Sequence, residues 1–506
     1  MTSSLTSHAL DDPRAIVEPD SAERPAVATS PSAVRLRRVL VVLAALAVAG
    51  LHFRPWQGAM LEDWNLAANW EAGGLSSLYP SLRTTLGRPF HLLPHYLGMV
   101  LSDGGVAGPF AVLAAVAVAQ FLVAMWALRP LVSTWWTRWA FGLLIALHPW
   151  WVAGDILRFM PAQVSVLGVV VWLGASVRYL RTGRGIWLVP AAVAVVVGLL
   201  TYQGPAAALL MASVALALAV SAAVPRRGAT LVLVTTAAVG AVMIWSIVIA
   251  PRLVPDSYEY QLMSGGLTDP VASVRAIVRT LLLHGHGVLV LMGAVAVAVI
   301  ALGLHARLRP WQVWALLALV AAAPLAAIAY ASNTFHLNDA ERVGLPVGVL
   351  LWVVACSVAD RLPARRATAR GLLAVVLLAT VLGAAAGYVR WAGYSSAQEE
   401  LITAVAAVRE DVPDDATVIV EDVTGRYGDV YLLLPPHLNY ALDVQHGAGA
   451  DGVLCTASGV VRDHPDAAIF PIVTTPDCAE YLFAPGTRYL SEAMTEFGLV
   501  RFHVVR

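Results

Sequence analysis

The sequence predicts an all-α polytopic membrane protein of about eleven transmembrane helices, N-terminus inside and C-terminus outside, followed by a small C-terminal extracytoplasmic α/β domain. Three observations predict this class. Hydrophobic residues make up 58% of the 506, only 13% are charged, and mean hydropathy is +0.71, a balance that soluble domains do not carry. Apolar runs long enough to cross roughly 30 Å of hydrocarbon recur along the chain. Arginines cluster in every second connection, as the positive-inside rule requires of cytoplasmic turns.

Residues 1–34 are rich in Ser, Pro, Ala and Asp without an apolar period, and read as a disordered cytoplasmic tail. The run Val39–Phe53 follows Arg35, Arg37 and Arg38 and reads as a first membrane helix, since no small-residue cleavage site follows it. Further runs lie near 106–128, 138–153, 161–179, 186–202, 205–224, 229–250, 287–304, 311–330, 343–359 and 371–389. The arginine clusters fall at Arg129/Arg138, Arg178/Arg181/Arg184, Arg226/Arg227, Arg307/Arg309 and Arg361/Arg365/Arg366/Arg370, one at each predicted cytoplasmic turn. Residues 35–394 thus form the membrane domain, with a long first outer loop over 54–105. Beyond Ser395 the composition changes to 17 acidic residues against 6 arginines, with a helix-like Ala397–Arg409, Asp/Pro turns and a strand-like Thr417–Val420. Residues 395–506 read as the outer α/β domain.

Charge and residue types exclude several functions. The formal net charge is +0, which excludes a uniformly basic nucleic-acid binder. All 33 basic residues are Arg, so neither Schiff-base chemistry nor a P-loop lysine is open to this chain. Three cysteines are too few for a disulfide scaffold or a Cys-based metal cluster; Cys455 and Cys478 share the outer compartment and could close a loop, while Cys356 lies in a span. The 16 tryptophans gather at span ends, as an aromatic belt does.

Candidate functional residues collect at the outer ends. Glu62 and Asp63 are adjacent carboxylates about one helical turn beyond the first span, close to the bilayer surface, where ionised groups need a reason. Trp64, Leu66, Trp70, Leu75, Leu78 and Tyr79 then suit helices lying in the interface. Later outer turns bring His148, Asp155 and Arg158, then Tyr202 and Gln203 before Gly204-Pro205, then Asn333, His336, Asn338, Asp339, Glu341 and Arg342. Arg88, Arg158 and Arg342 run against the positive-inside bias. A bound anion explains them most simply, because guanidinium groups bond phosphate oxygens bidentately. Blander readings stand beside these. Carboxylates favour helix starts, Asp155 and Arg158 can pair on a helix, Arg342 can balance Glu341 and Asp339, and Tyr202 and Gln203 can cap a helix. His91 and His95 share a helical face at a metal-like spacing, yet no local carboxylate completes a ligand set.

The acidic pair after the first span, the interfacial helices, the segment Gly87–Phe90 (GRPF), an Asp and an Arg in the next outer turn, Tyr202-Gln203, and Arg342 with Pro346 before a late span are together similar to the GT-C superfamily of polytopic glycosyltransferases. Within it the chain most resembles GtrII-like and protein-mannosyltransferase-like enzymes. The likeness covers about residues 36–390 in architecture, and only the first outer loop and a few short turns in motif. The pair is Glu-Asp where many relatives have Asp-Asp, and the C-terminal domain has no counterpart. The resemblance implies a GT-C-like fold and an inverting transfer of a sugar from a polyprenyl-phosphate donor to a glycan, lipid or protein acceptor, beside membrane lipids. Asp63 would be the base, Glu62 its helper, and Arg342, Arg158 and Arg88 the phosphate ligands. Asp155, Tyr202, Gln203 and His336 would contact substrate. No cofactor is required, and a divalent metal at Glu62/Asp63 is left open.

Two other function classes compete. A transporter or flippase for a lipid-linked substrate predicts ionisable residues near the midplane and an internal repeat, whereas the spans here are nearly charge-free. An assembly protein anchored by its membrane part would not need so many spans.

Overall fold

The computed structural model describes residues 30–59, 62–147, 157–220, 224–255, 366–413, 415–425, 427, 435–446, 452–460, 476–496 and 498–505, together with positions 313, 317, 320, 349, 350, 352 and 353. The chain is mostly helical with one small C-terminal sheet. The spans expected near 287–304, 311–330 and 343–359 lie outside the described residues apart from those seven positions. Val320, Val349, Leu350, Trp352 and Val353 are buried in the main helical core, where Trp352 meets Phe141 edge-on at 5.8 Å.

Helix α1 (Pro31–His52) starts where sequence chemistry directs: the Ser30 hydroxyl accepts from the Ala33 N–H, and Pro31 occupies the first turn. It ends before Arg54-Pro55. Short helices α2 (Glu62–Gly73), α3 (Leu78–Thr84) and α4 (Leu93–Ser102) follow. A left-handed Asp103-Gly104 turn then leads into α5 (Ala107–Leu128). Helices α4 and α5 pack at close range because both contact positions are glycine. A Cβ on Gly98 would lie 2.3 Å from the Pro109 nitrogen, and one on Gly108 would lie 1.9 Å from the Gly98 oxygen.

Next come α6 (Trp135–Leu147), α7 (Met160–Thr182), α8 (Leu188–Thr201), α9 (Ala206–Val220) and α10 (Pro225–Ile244). A five-residue π-helical turn, Trp245–Ile249, joins α10 to a last short turn, α11 (Ala250–Leu253). Among the described residues, three helical stretches are long and apolar enough to cross a membrane: Ala107–Leu128, Met160–Thr182 and the continuous Pro225–Leu253. The runs predicted at 186–202 and 205–224 form shorter apolar helices, Gly185–Thr201 and Ala206–Leu218. Large apolar side chains face outward along these rods and α1, among them Leu46, Leu233 and Ile244, as surfaces solvated by lipid do.

Helix α12 (Arg366–Glu410) runs 45 residues without a break, about 68 Å at 1.5 Å per residue. The sequence predicts two helices here, a span over 371–389 and a domain helix over Ala397–Arg409, with a boundary at 395. The structure joins them. Gly393, Ser395 and Ser396 are weak helix formers, but no proline falls between Pro363 and Pro413, and Trp391 and Ser395 are buried by packing. Slightly over half the rod extends beyond the length needed for ~30 Å of hydrocarbon.

The sheet packs on the far half of α12. Its order is β2-β1-β4-β3, from β1 (Thr417–Asp422), β2 (Gly452–Thr456), β3 (Arg488–Thr495) and β4 (Gly498–Val505). Strands β1 and β2 are parallel, with α13 (Pro435–His446) between them in the chain, and β3–β4 is an antiparallel hairpin. Val418, Val420, Val500, Phe502 and Val504 meet Leu401, Ile402 and Val405 of α12. On the other face Ile419 packs with Cys455 and Cys478, which form a disulfide across 23 residues of sequence. Loop-closure entropy puts that bond at about 3 kcal/mol. Cys455→Ser with Cys478→Ser is therefore expected to lower the denaturant midpoint of the sheet domain, followed by proteolysis of the intact chain in detergent.

Candidate functional site

One stripe of α12 organises the region after α1. Tyr388, Ser395, Gln398, Ile402 and Val405 recur at helical spacing on a single face. The Tyr388 ring meets Trp56 edge-on at 4.7 Å and carries the Arg54 guanidinium at 5.1 Å. The Ser395 hydroxyl donates to the Trp56 carbonyl at 3.0 Å. Gln398 is buried and works in both directions: its amide nitrogen donates to the Ala59 carbonyl at 2.9 Å, and its oxygen accepts from the Trp64 indole at 3.4 Å. Ala59 and Trp64 bracket the acidic pair and join the core of the sheet domain. The C-terminal domain thus holds Ala59 and the first turn of α2 in place.

Asp63 is buried in the first turn of α2, where a helix N-terminus favours a carboxylate. Helix α2 packs against α13 on one side and against the short turn Leu157–Phe159 on another. Its Leu66 and Trp70 meet Tyr96 and Met99 of α4.

The segment around Arg88 is fixed by bonds to its backbone. The Gly87 carbonyl accepts from the Gln203 amide at 3.2 Å and from the Ser246 hydroxyl at 2.7 Å. The Leu86 carbonyl accepts from the Trp245 indole at 3.0 Å. Phe90 N–H donates to the Leu200 carbonyl, and His91 Nδ1 to the Thr201 carbonyl. Three sequence-distant pieces are thereby locked together, and Trp245 and Ser246 reach this segment from the π-helical turn, a distortion often found at functional sites. Arg88 itself is buried. Each donor to Gly87 contributes about 1 kcal/mol, so Gln203→Leu with Ser246→Ala is expected to lower the melting temperature in detergent more than either change alone.

His95 connects this cluster to the next turn. Its Nε2–H donates to the Leu157 carbonyl at 2.8 Å, one residue before Arg158, while burial lowers its pKa from 6.5 to about 4. Between those values the unfolded chain binds a proton that the folded chain does not, so stability falls as pH drops from about 6.5 to about 4. His95→Gln keeps an N–H for Leu157 and removes the titration. Its melting temperature is expected to be flatter than that of the wild type across that window.

The predicted residues therefore fall into four groups. Arg88, Tyr202 and Gln203 are buried and gathered at one end of the bundle, with the Ser165 hydroxyl donating to the Tyr202 carbonyl at 3.3 Å. Asp63 sits on α2, which packs on α4 and on Leu157–Phe159; α4 follows the Arg88 segment in the chain, and Leu157–Phe159 leads into α7, whose Ser165 bonds Tyr202. Glu62 and Arg158 have described backbones at the start of α2 and in the Leu157–Phe159 turn. Asp155, His336 and Arg342 lie outside the described residues, as do His148, Asn333, Asn338, Asp339, Glu341 and Cys356. Gln398, Trp245, Ser246 and His95 were not singled out by sequence as parts of the site. Only the helical stripe on α12 and the His91/His95 spacing carried any signal for them.

Both His91 and His95 bond to carbonyl oxygens, and among the described residues no group of three or more His, Cys, Asp or Glu is arranged to hold a metal ion. The Glu421 carboxylate and His503 pair at 2.9 Å on the disulfide-bearing side of the sheet, away from the α12 interface. Comparison of the chain with protein-family models, with curated proteins and with solved structures finds no match in any of the three.

Proposed function

We propose that this chain is an inverting glycosyltransferase of the GT-C kind, moving a sugar from a polyprenyl-phosphate donor to an envelope glycan, glycolipid or protein at the outer face of the cytoplasmic membrane. The observation that carries this reading is the gathering, at the sheet-bearing end of the bundle, of the acid-bearing helix α2, the buried Arg88 segment, the Tyr202-Gln203 turn and the turn that begins α7. In this reading about eleven spans run N-terminus inside to C-terminus outside, which puts that end on the outer face.

The chemistry needs few groups. A base removes the acceptor hydroxyl's proton, and the resulting nucleophile attacks C1 from the face opposite the phosphate, so one displacement inverts the anomeric centre without a covalent intermediate. Asp63 is that base. Glu62, its neighbour in sequence, orients the acceptor. Arg88, Arg158 and Arg342 stabilise the charge of the departing phosphate, each such bond contributing about 1.5–3 kcal/mol. Asp155, Tyr202 and His336 serve the sugar and acceptor. Gln203, whose amide nitrogen is bonded to Gly87, positions the Arg88 loop. The prenyl chain lies in a groove between spans. A divalent metal enters no step.

The test is transfer by the purified protein in proteoliposomes, supplied with a panel of radiolabelled prenyl-phosphate hexoses and pentoses and an envelope acceptor fraction. Label is expected to leave the lipid for the acceptor with inverted configuration, and Arg342→Ala is expected to weaken donor use. Label that crosses the bilayer still attached to its lipid would replace this reading with a flippase.

A further inference from the structure

At the end of the bundle away from the sheet, α1 carries Arg35, Arg37 and Arg38 close together near its start. Among the described residues no carboxylate pairs with them. Arg37 is committed to the protein: its guanidinium lies 5.6 Å from the Trp135 ring of α6. The Trp139 indole donates to the Leu40 carbonyl at 3.3 Å, which fixes α1 against α6. Arg35 and Arg38 are exposed, and among the described residues nothing engages them.

Other arginines at this end are used differently. Arg178 donates to the Gly174 and Trp126 carbonyls at 2.8 and 2.7 Å, and Arg227 donates to the Leu180 carbonyl at 3.2 Å. These bonds tie helices to one another. Arg35 and Arg38 instead head a stripe that continues down α1 through Val39, Val42, Leu43 and Leu46 at helical spacing. Those four apolar side chains are exposed by 48, 57, 55 and 64%. Trp136, whose ring lies 4.8 Å from that of the Trp135 that meets Arg37 and 6.2 Å from that of Trp139, is also exposed. One face of one helix therefore offers two unpaired cations followed directly by an apolar track.

We propose that this stripe is a binding site for an anionic diacyl phospholipid, with Arg35 and Arg38 on the phosphate and Val39, Val42, Leu43 and Leu46 against the acyl chains. Guanidinium groups bond phosphate oxygens through paired N–H donors, and Trp136 sits at headgroup depth. A zwitterionic lipid also carries a phosphate, but its ammonium group meets the same two arginines unfavourably, so the site discriminates by net headgroup charge. The inference is independent of glycosyl transfer and needs only that α1 stands beside lipid.

The test counts lipids retained by the full-length protein in native mass spectrometry, after exchange into phosphatidylglycerol or phosphatidylcholine of equal chain length at low salt. Wild type is expected to retain phosphatidylglycerol in preference. At about 1 kcal/mol per arginine near a membrane surface, R35Q/R38Q is expected to weaken that retention about thirtyfold. Phosphatidylcholine retention stays unchanged. The control R184Q/R226Q removes the same charge from exposed positions and is expected to leave retention as in wild type. Equal loss in the control would reduce the effect to general surface charge and overturn the site. So would undiminished retention in R35Q/R38Q, or displacement of the lipid by soluble glycerol 3-phosphate, which lacks the chains.

Discussion

Asp63→Asn is expected to abolish sugar transfer while leaving the protein folded. Asparagine matches the carboxylate in shape but cannot take a proton, so the substitution removes the base without opening a cavity. General-base catalysis contributes about 100- to 10,000-fold, and a loss near the upper end is expected because the acceptor hydroxyl has no other acid-base partner in this reading. The folding side is small. A carboxylate in the first turn of a helix contributes about 0.3–1 kcal/mol, well short of unfolding a chain whose α2 is also held by Leu66, Trp70 and the sheet domain. Single-turnover transfer, read beside gel filtration and melting temperature, separates the two effects. Asp63→Glu is expected to keep part of the rate, and Glu62→Gln to lose less than Asp63→Asn. Full activity in Asp63→Asn removes the base from the account.

Gln398→Leu is expected to release the approach to α2 from the sheet domain. The substitution leaves the Ala59 carbonyl and the Trp64 indole N–H without the partners seen in the structure. Leaving a buried polar group unsatisfied costs about 1–3 kcal/mol. The 2.9 Å bond to Ala59 is the shorter of the two and should account for most of the effect. Local opening of that size accelerates amide exchange by about ten- to a hundredfold. The acceleration is expected in peptides covering 56–59 and 62–70, and not in α5 or α7. Transfer falls with it, because Asp63 lies between the two anchored residues. Gln398→Glu keeps an acceptor for the indole and loses the donor to Ala59, so its exchange rates should be intermediate. Unchanged exchange in Gln398→Leu would show that the C-terminal domain does not hold this segment.

Much of the helical scaffold was legible because hydropathy acts over whole turns. The runs predicted at 106–128 and 161–179 match α5 and α7 to within three residues at either end. The C-terminal sheet was legible at β1, where Thr417–Val420 combines β-branched residues with flanking turn signals. The continuity of α12 was not. Glycine and serine lower helix propensity by fractions of a kcal/mol per residue, and burial of Trp391 and Ser395 overrides that, which no local pattern announces. The site divides in the same way. Arg88, Tyr202 and Gln203 stood out as polar residues at span ends. Ser246 and Trp245 sit inside an apolar run, and only the π-helical turn brings them to Leu86 and Gly87. Gln398 was hidden for another reason: its partners are more than 330 residues away in sequence, a pairing that spacing cannot encode.

The central claim is that the α2 acid and the Arg88 cluster surround one prenyl-linked sugar. An electron cryomicroscopy map of the protein in nanodiscs, with a non-transferable prenyl-phosphonate sugar bound, tests it most directly. The account predicts sugar density beside the Asp63 carboxylate and a phosphonate within hydrogen-bond reach of Arg88, with the prenyl chain leaving between helices toward lipid. Density for the ligand at another place on the bundle, with Asp63 and Arg88 both out of its reach, would contradict it.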